Sequence, residues 1–110
     1  MIIDADCHIS SHKFDTLALT ADELLREMDR AAVDKALIWP KPPYNKDIAP
    51  ENRVVSEAIR AHPDRLLGFG WINPRLGAAA TTDTIRRCFE EYDFYGVKFN
   101  GAQDLSLIHI

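Results

Sequence analysis

Met1-Ile2-Ile3-Asp4-Ala5-Asp6-Cys7-His8-Ile9 opens the chain, and its reading decides the fold. Apolar residues flank three polar side chains, Asp4, Asp6 and His8, at a period of two. In a strand that period places all three on one face. Asp6 and His8 fall toward the C-terminal end, where chemistry sits in parallel α/β folds. An acid and an imidazole one strand step apart are a ready pair of metal ligands. A carboxylate–imidazole hydrogen bond without metal is the structural alternative.

Outward from that strand, helical and extended patterns alternate. Thr20-Ala21-Asp22-Glu23 reads as a capping box, with Thr20 as the cap and Glu23 answering three residues on. The helix it opens carries Leu24, Leu25, Met28, Ala31 and Ala32 as its buried stripe. Lys35-Ala36-Leu37-Ile38-Trp39 is a continuous apolar run, as in a strand buried on both faces. The proline-broken loop 40–49 is a plausible binding rim. Pro50 fits the first position of a second helix, with Val54, Val55, Ala58, Ile59 and His62 on one side and Pro63 beyond its end. Leu66–Ile72 reads as a third strand, whose Gly68 and Gly70 let neighbours approach closely. A third helix is expected from Thr81 or Thr82, burying Ile85, Cys88, Phe89 and Tyr92. Phe94–Asn100 completes the set as a fourth strand. The order β-α-β-α-β-α-β implies a parallel sheet with right-handed crossovers, either a small open sheet or the first half of a (β/α)8 TIM barrel.

Composition narrows the function. The chain has 110 residues, which allows one domain at most. Thirteen basic against seventeen acidic residues leave a formal charge of −4, which argues against nucleic acid as the main partner. Apolar runs are too short to span a bilayer, and no basic segment precedes an apolar one as in a signal peptide. Cys7 and Cys88 form neither a disulfide framework nor a CxxC pair, so a reducing cytoplasm is expected. Both read as inert core thiols, Cys7 having the opposite parity to Asp6 and His8.

Four segments, IIDADCHIS, AAVDKALIWP, AHPDRLLGFGWINP and YGVKFNGAQD, together resemble successive strands of the amidohydrolase superfamily. They look most like its amidohydrolase-related branch, which includes enzymes similar to aminocarboxymuconate-semialdehyde decarboxylase. The resemblance spans residues 1–104. It implies a barrel enzyme with a divalent metal at the C-terminal mouth, zinc first and manganese second. It further implies hydrolysis of a C–N or C–O bond, or non-oxidative decarboxylation of a small carboxylate. The family's His-x-His signature on the first strand falls on Asp6 and His8, a departure that substitutes a carboxylate for one imidazole. Later ligands, a histidine after strand five and an aspartate after strand eight, would lie beyond this chain.

Lys98 and Asn100 are expected on the inward face of the fourth strand, with Val97 and Phe99 toward helices. Lys98 could bind a substrate carboxylate or be carboxylated and bridge metals; pairing with an acid such as Asp4 is the structural reading. Lys98, Asn100 and Trp39 are therefore the candidate substrate-binding residues. Trp39 and Trp71 end their strands, where large aromatics also serve packing. His12 reads as a loop residue, and His62 as a complement to a helix C-terminus.

The last six residues, Leu105–Ile110, are what CTG TCT CTT ATA CAC ATC encodes, an adapter sequence of transposase-based sequencing libraries. They are expected to be an adapter-derived tail outside the fold. The expected whole is a homo-oligomeric enzyme acting on a small molecule, of which this chain is an N-terminal part, inactive by itself. Two other classes compete. One is a free-standing α/β binding module without metal. The other is a metal-dependent phosphoesterase barrel.

Overall fold

A computed structural model of the protein describes residues 1–10, 19–41, 48–99 and 101. The loop histidine His12, the candidate Asn100 and the tail 105–110 lie outside the described residues. The elements alternate as β1 (Ile3–Ile9), α1 (Ala21–Arg30), β2 (Lys35–Pro40), α2 (Ala49–Ala61), β3 (Leu66–Trp71), α3 (Ala78–Glu90) and β4 (Gly96–Lys98), with a 3-10 turn at Pro74–Leu76. The strands are parallel and lie in the order β1-β2-β3-β4.

Strand order and helix placement choose the barrel over the open sheet. Residues from all three helices (Leu24 and Met28; Val55, Ala58 and Ile59; Cys88) share one core with Cys7, Ile9, Ala36, Ile38 and Leu66 of the strands. The helices thus cover one face of the sheet. On the opposite face Leu37, Trp39, Leu67 and Phe69 are only half-buried. An open, doubly wound sheet reverses its strand order and covers both faces. Sequential order with helices on one side is the singly wound pattern of a barrel segment. The sheet is also concave. Two strands separate β1 from β4, about 14 Å in a flat sheet at ~4.8 Å per strand. Side chains of Asp6 and Lys98 nevertheless come within 3.5 Å across the uncovered face. The fold is α/β, the first half of a (β/α)8 barrel.

The capping box forms as expected: the Thr20 hydroxyl accepts from the Glu23 N–H, and the Glu23 carboxylate accepts from the Thr20 N–H at 2.9 Å. Helix α1 stops earlier than its apolar stripe suggests. Ala32 takes a left-handed φ of 55°, so Ala31 and Ala32 are exposed rather than buried. Helix α2 begins one residue before Pro50. Helix α3 begins at Ala78, before the threonines expected to cap it. Thr81 and Thr84 instead bond back to the carbonyls of Gly77 and Ala80, each at 2.8 Å, and so fit inside the helix. Phe89, expected in the buried stripe, is 51% exposed.

Strand β4 is shorter than its apolar pattern because Phe94 serves another purpose. Its ring lies on the backbones of Gly68 and Gly70, and a Cβ at Gly68 would sit 2.8 Å from Phe94 Cδ1. The two glycines therefore make the close approach their spacing suggests.

One irregularity decides the site. Between Asp4 and Cys7 the register of β1 on β2 shifts by one residue: Asp4 pairs with Ala36, and Cys7 with Ile38. Ala5 and Asp6 together oppose the single Leu37, which is a β-bulge. Asp4 consequently takes the parity of buried Ala36, not that of Asp6 and His8. The expectation that all three polar side chains share a face is corrected to two.

Candidate active site at the strand C-termini

The bulge is held by a local hydrogen bond, the Asp6 N–H donating to Asp4 Oδ1 at 3.1 Å. Short polar side chains stabilise turn-like backbone in this way. Beyond the bulge Cys7 and Ile9 are buried beneath the helices, and Asp6 and His8 face the concave side.

Asp6, His8, Trp39, Trp71 and Lys98 meet there. Trp39 Nε1–H donates to Asp6 Oδ1 at 2.6 Å. Lys98 Nζ lies 3.5 Å from the same oxygen and His8 Nε2 3.4 Å from it. The Lys98 ammonium sits 4.2 Å from the centre of the Trp39 ring and 5.7 Å from that of Trp71, within cation–π range of both. The His8 ring is about equally far from the two indoles, 6.4 Å from Trp39 and 6.3 Å from Trp71. The Trp39 and Phe69 rings meet edge to face, with their centres 5.2 Å apart.

Lys98 therefore faces inward as expected, but its acid is Asp6 and not Asp4. Partial burial opposes the charge on Asp6. The Trp39 hydrogen bond and the nearby Lys98 and His8 outweigh it and hold the carboxyl below its ordinary pKa. Burial, with Asp4 beside it, pushes the Cys7 thiol up to about 12, and burial pushes Cys88 up to about 11. Neither is a nucleophile at neutral pH.

His8 and Asp6 fit a divalent metal as two ligands of its shell. His8 Nδ1 lies 3.2 Å from the Pro40 carbonyl oxygen, which can only accept, so Nδ1 carries the proton. With Nδ1 so used, Nε2 is the nitrogen left to bind a cation beside the Asp6 carboxylate. A histidine that spends one nitrogen on a backbone carbonyl is the usual metal-ligand arrangement. The 3.4 Å separation also matches an edge of a tetrahedron with bonds of about 2.05 Å, which is about 3.35 Å long. Among the described residues no third histidine, cysteine, aspartate or glutamate joins them. Zinc sites normally use three or more protein ligands.

A concavity of about 740 Å³ at the other end of the strands, lined by Met1, Asp34 and Arg65 among others, is not a second site. Its Arg65 is committed to Asp29 at 2.9 Å and to the Val33 and Asp34 carbonyls, and Asp34 accepts from the Ile2 N–H.

Sequence reasoning missed Asn52. This residue of α2 is fully buried and bonds the backbone of Trp71 twice. In the sequence it reads as an ordinary polar residue near a helix start.

No family model and no curated protein sequence matches the chain. Solved structures do. The 5-carboxyvanillate decarboxylase of Novosphingobium aromaticivorans, with bound manganese and 3-methoxy-4-hydroxy-5-nitrobenzoic acid, superposes with a TM-score of 0.74 at 16% identity, over 91% of this chain and 42% of that one. The 2,6-dihydroxybenzoate decarboxylase from Rhizobium gives 0.70 at 22% identity, over 91% and 38%. The 4-oxalomesaconate hydratase of Rhodopseudomonas palustris gives 0.61 at 18%, over 88% and 40%. These likenesses bear on the fold, and the chain spans about two fifths of each neighbour's length. No helix among the described residues is long and apolar enough to cross a membrane.

Proposed function

We propose that residues 1–104 are the N-terminal part of a metal-dependent barrel enzyme of the amidohydrolase type. Its reaction is non-oxidative decarboxylation of a small aromatic carboxylate. The observation that carries this reading is the convergence of Asp6, His8 and Lys98 beside two tryptophans. Neighbours of the same fold that decarboxylate 2,6-dihydroxybenzoate and 5-carboxyvanillate support the choice of substrate class.

Asp6 and His8 would hold the ion, with further ligands from outside the described residues. When bound, a divalent metal supplies positive charge to a substrate oxygen. The remaining roles belong to side chains already placed. Pro40 fixes the tautomer and aim of His8 through Nδ1. Lys98 offers an ammonium to a substrate carboxylate, and can do so by exchanging Asp6 for it. The rings of Trp39, Trp71 and Phe69 would give a planar ring an apolar seat and exclude water. Asn100 is kept as a proposed substrate-binding residue on the sequence pattern alone. Zinc or manganese is the expected metal, and the whole enzyme a homo-oligomer. The 110-residue chain alone is expected to be inactive.

The test is to express the complete reading frame, measure bound metal, and follow carbon dioxide release from 2,6-dihydroxybenzoate. Metal-dependent release supports the reading. A metal-loaded enzyme that cleaves amides or lactones and releases no carbon dioxide moves it to hydrolysis. A complete protein that binds no divalent metal overturns it. Sequencing the source DNA across the codons for Gln103 to Ile110 tests the adapter origin of the tail.

A further inference from the structure

Strand β3 outruns its neighbour. Its ladder with β2 extends to the pair Ile38–Gly68, and β2 ends at Pro40, which has no N–H. Trp71 stands beyond that ladder. Its neighbour Ile72 donates toward β4, to the Lys98 carbonyl at 2.9 Å. By strand alternation Trp71 turns its own N–H and C=O the other way, toward the β2 side. Two buried backbone groups are thus left without a strand partner, which would be costly.

Asn52 supplies the missing rung. Its Oδ1 accepts from the Trp71 N–H at 2.8 Å, and its Nδ2 donates to the Trp71 carbonyl at 3.0 Å. A side-chain amide in this orientation offers one donor and one acceptor, on two atoms, to the same residue's backbone. Asn52 is fully buried, and Trp71 is 4% exposed.

We infer that Asn52 is a positioning residue: it fixes Trp71 as the wall against which Lys98 and His8 are set, and so makes α2 part of the site. The role rests on the functional reading above for its importance, but not for its geometry. The Trp71 ring is 5.7 Å from Lys98 Nζ and 6.3 Å from the His8 ring, so a displaced Trp71 alters the surroundings of both.

Asn52→Asp is the primary variant. The carboxylate still accepts from the Trp71 N–H but meets the Trp71 carbonyl without a proton to share. Asn52→Ser is the second variant, too short to reach both groups. In the complete protein, with lysine Cε and histidine Cε1 labelled for NMR, ring-current shifts of Lys98 and His8 report where the indole lies. Both resonances are expected to move toward their unshifted positions in either variant. The movement should vanish when the same changes are made in a Trp71→Leu background, which has no ring current, because Asn52 acts on Lys98 and His8 through the ring it positions. A residue that merely stabilises α2 would move them equally in both backgrounds, and that result overturns the inference. So do unmoved resonances beside a Trp71 amide that has lost its protection from hydrogen exchange. If neither variant folds, Asn52 is structural only and the inference is also overturned. Affinity for 2,6-dihydroxybenzoate should fall about tenfold in Asn52→Asp, the loss expected when one cation–π wall is displaced. Resonances that respond in a protein that does not bind 2,6-dihydroxybenzoate would sink the functional reading and leave the positioning role standing.

Discussion

Asp6→Asn separates a ligand from a structural acid, because the two roles predict opposite balances of loss. The asparagine amide oxygen can still accept the Trp39 indole N–H, now 2.6 Å from Asp6 Oδ1. What disappears is the charge facing Lys98 at 3.5 Å and His8 at 3.4 Å. The Asp6 side chain is 66% exposed, so solvent screens both pairs. Exposed pairs contribute about 0.2–1 kcal/mol each, and the lower half of that range applies here, giving a total cost near 0.5–1 kcal/mol. Metal binding should suffer far more. Losing an outer-shell partner already lowers affinity by roughly 10–100-fold, and Asp6 is proposed as a direct ligand. Urea midpoints and titration with zinc or manganese on the complete protein read the two quantities separately. An affinity within about tenfold of wild type would refute ligation by Asp6. A stability loss of about 3 kcal/mol would show that the acid is instead part of the packing.

Further outcomes follow from the same contacts. The Asp6 carboxyl is held below its ordinary pKa, so its attraction for Lys98 and Trp39 is fully present above the unfolded-state value. That contribution is lost as pH falls through the lower folded value, and tryptophan fluorescence should change there; a midpoint above the ordinary aspartate range would contradict the site's charge balance. Gly70→Ala should destabilise by about 1–3 kcal/mol, since the added methyl overlaps Cys88 Sγ and lies 2.9 Å from Phe94 Cδ2. Combining it with Cys88→Ala should recover part of the loss in denaturant unfolding, and purely additive losses would count against the packing of α3 on β3. With its pKa near 11, Cys88 is about one part in a thousand thiolate at pH 8, and Cys7 less. Both should react with a thiol reagent only as fast as the protein opens; rapid labelling of the native state would refute their burial.

The alternation of strands and helices was legible because burial writes itself into the pattern. Lys35–Trp39 and Leu66–Ile72 are continuous apolar runs, and Thr20 with Glu23 marks a helix start by chemistry specific to that position. The start of α3 was not legible, because a threonine satisfied inside a helix looks the same as one that caps it. Asn52 was hidden for a related reason. Its value lies in a backbone 19 residues away that ends its ladder early, and no local pattern encodes that. Within the site, Asp6, His8 and the inward face of Lys98 could be read from parity. The partner of Lys98 could not, because parity was counted through a strand that carries an extra residue. Phe89 shows the limit of the stripe argument: it has the spacing of a core residue at a place where none of the described residues covers it.

That extra residue yields the sharpest structural prediction. Nothing in Ile3-Asp4-Ala5-Asp6-Cys7-His8-Ile9 announces a bulge, since no glycine or proline interrupts it. Yet the register requires one, with Ala5 and Asp6 opposite Leu37. Ala5 is exposed, so removing it takes little from the core. Its deletion leaves Ile3 and Asp4 on their present faces and joins them to an unchanged Asp6, Cys7, His8 and Ile9 in regular alternation. The cost should be confined to the bond from the Asp6 N–H to Asp4, about 0.5–1.5 kcal/mol, with some return from a continuous ladder. Deleting Cys7 instead would put Asp6 into the buried place opposite Ile38, a carboxylate among apolar side chains. In urea unfolding the chain without Ala5 should therefore fold with a slightly lowered midpoint, and the chain without Cys7 should not fold. If the two deletions are equally harmful, β1 has no bulge, Asp4 shares the face of Asp6 and His8, and a third carboxylate returns to the metal question.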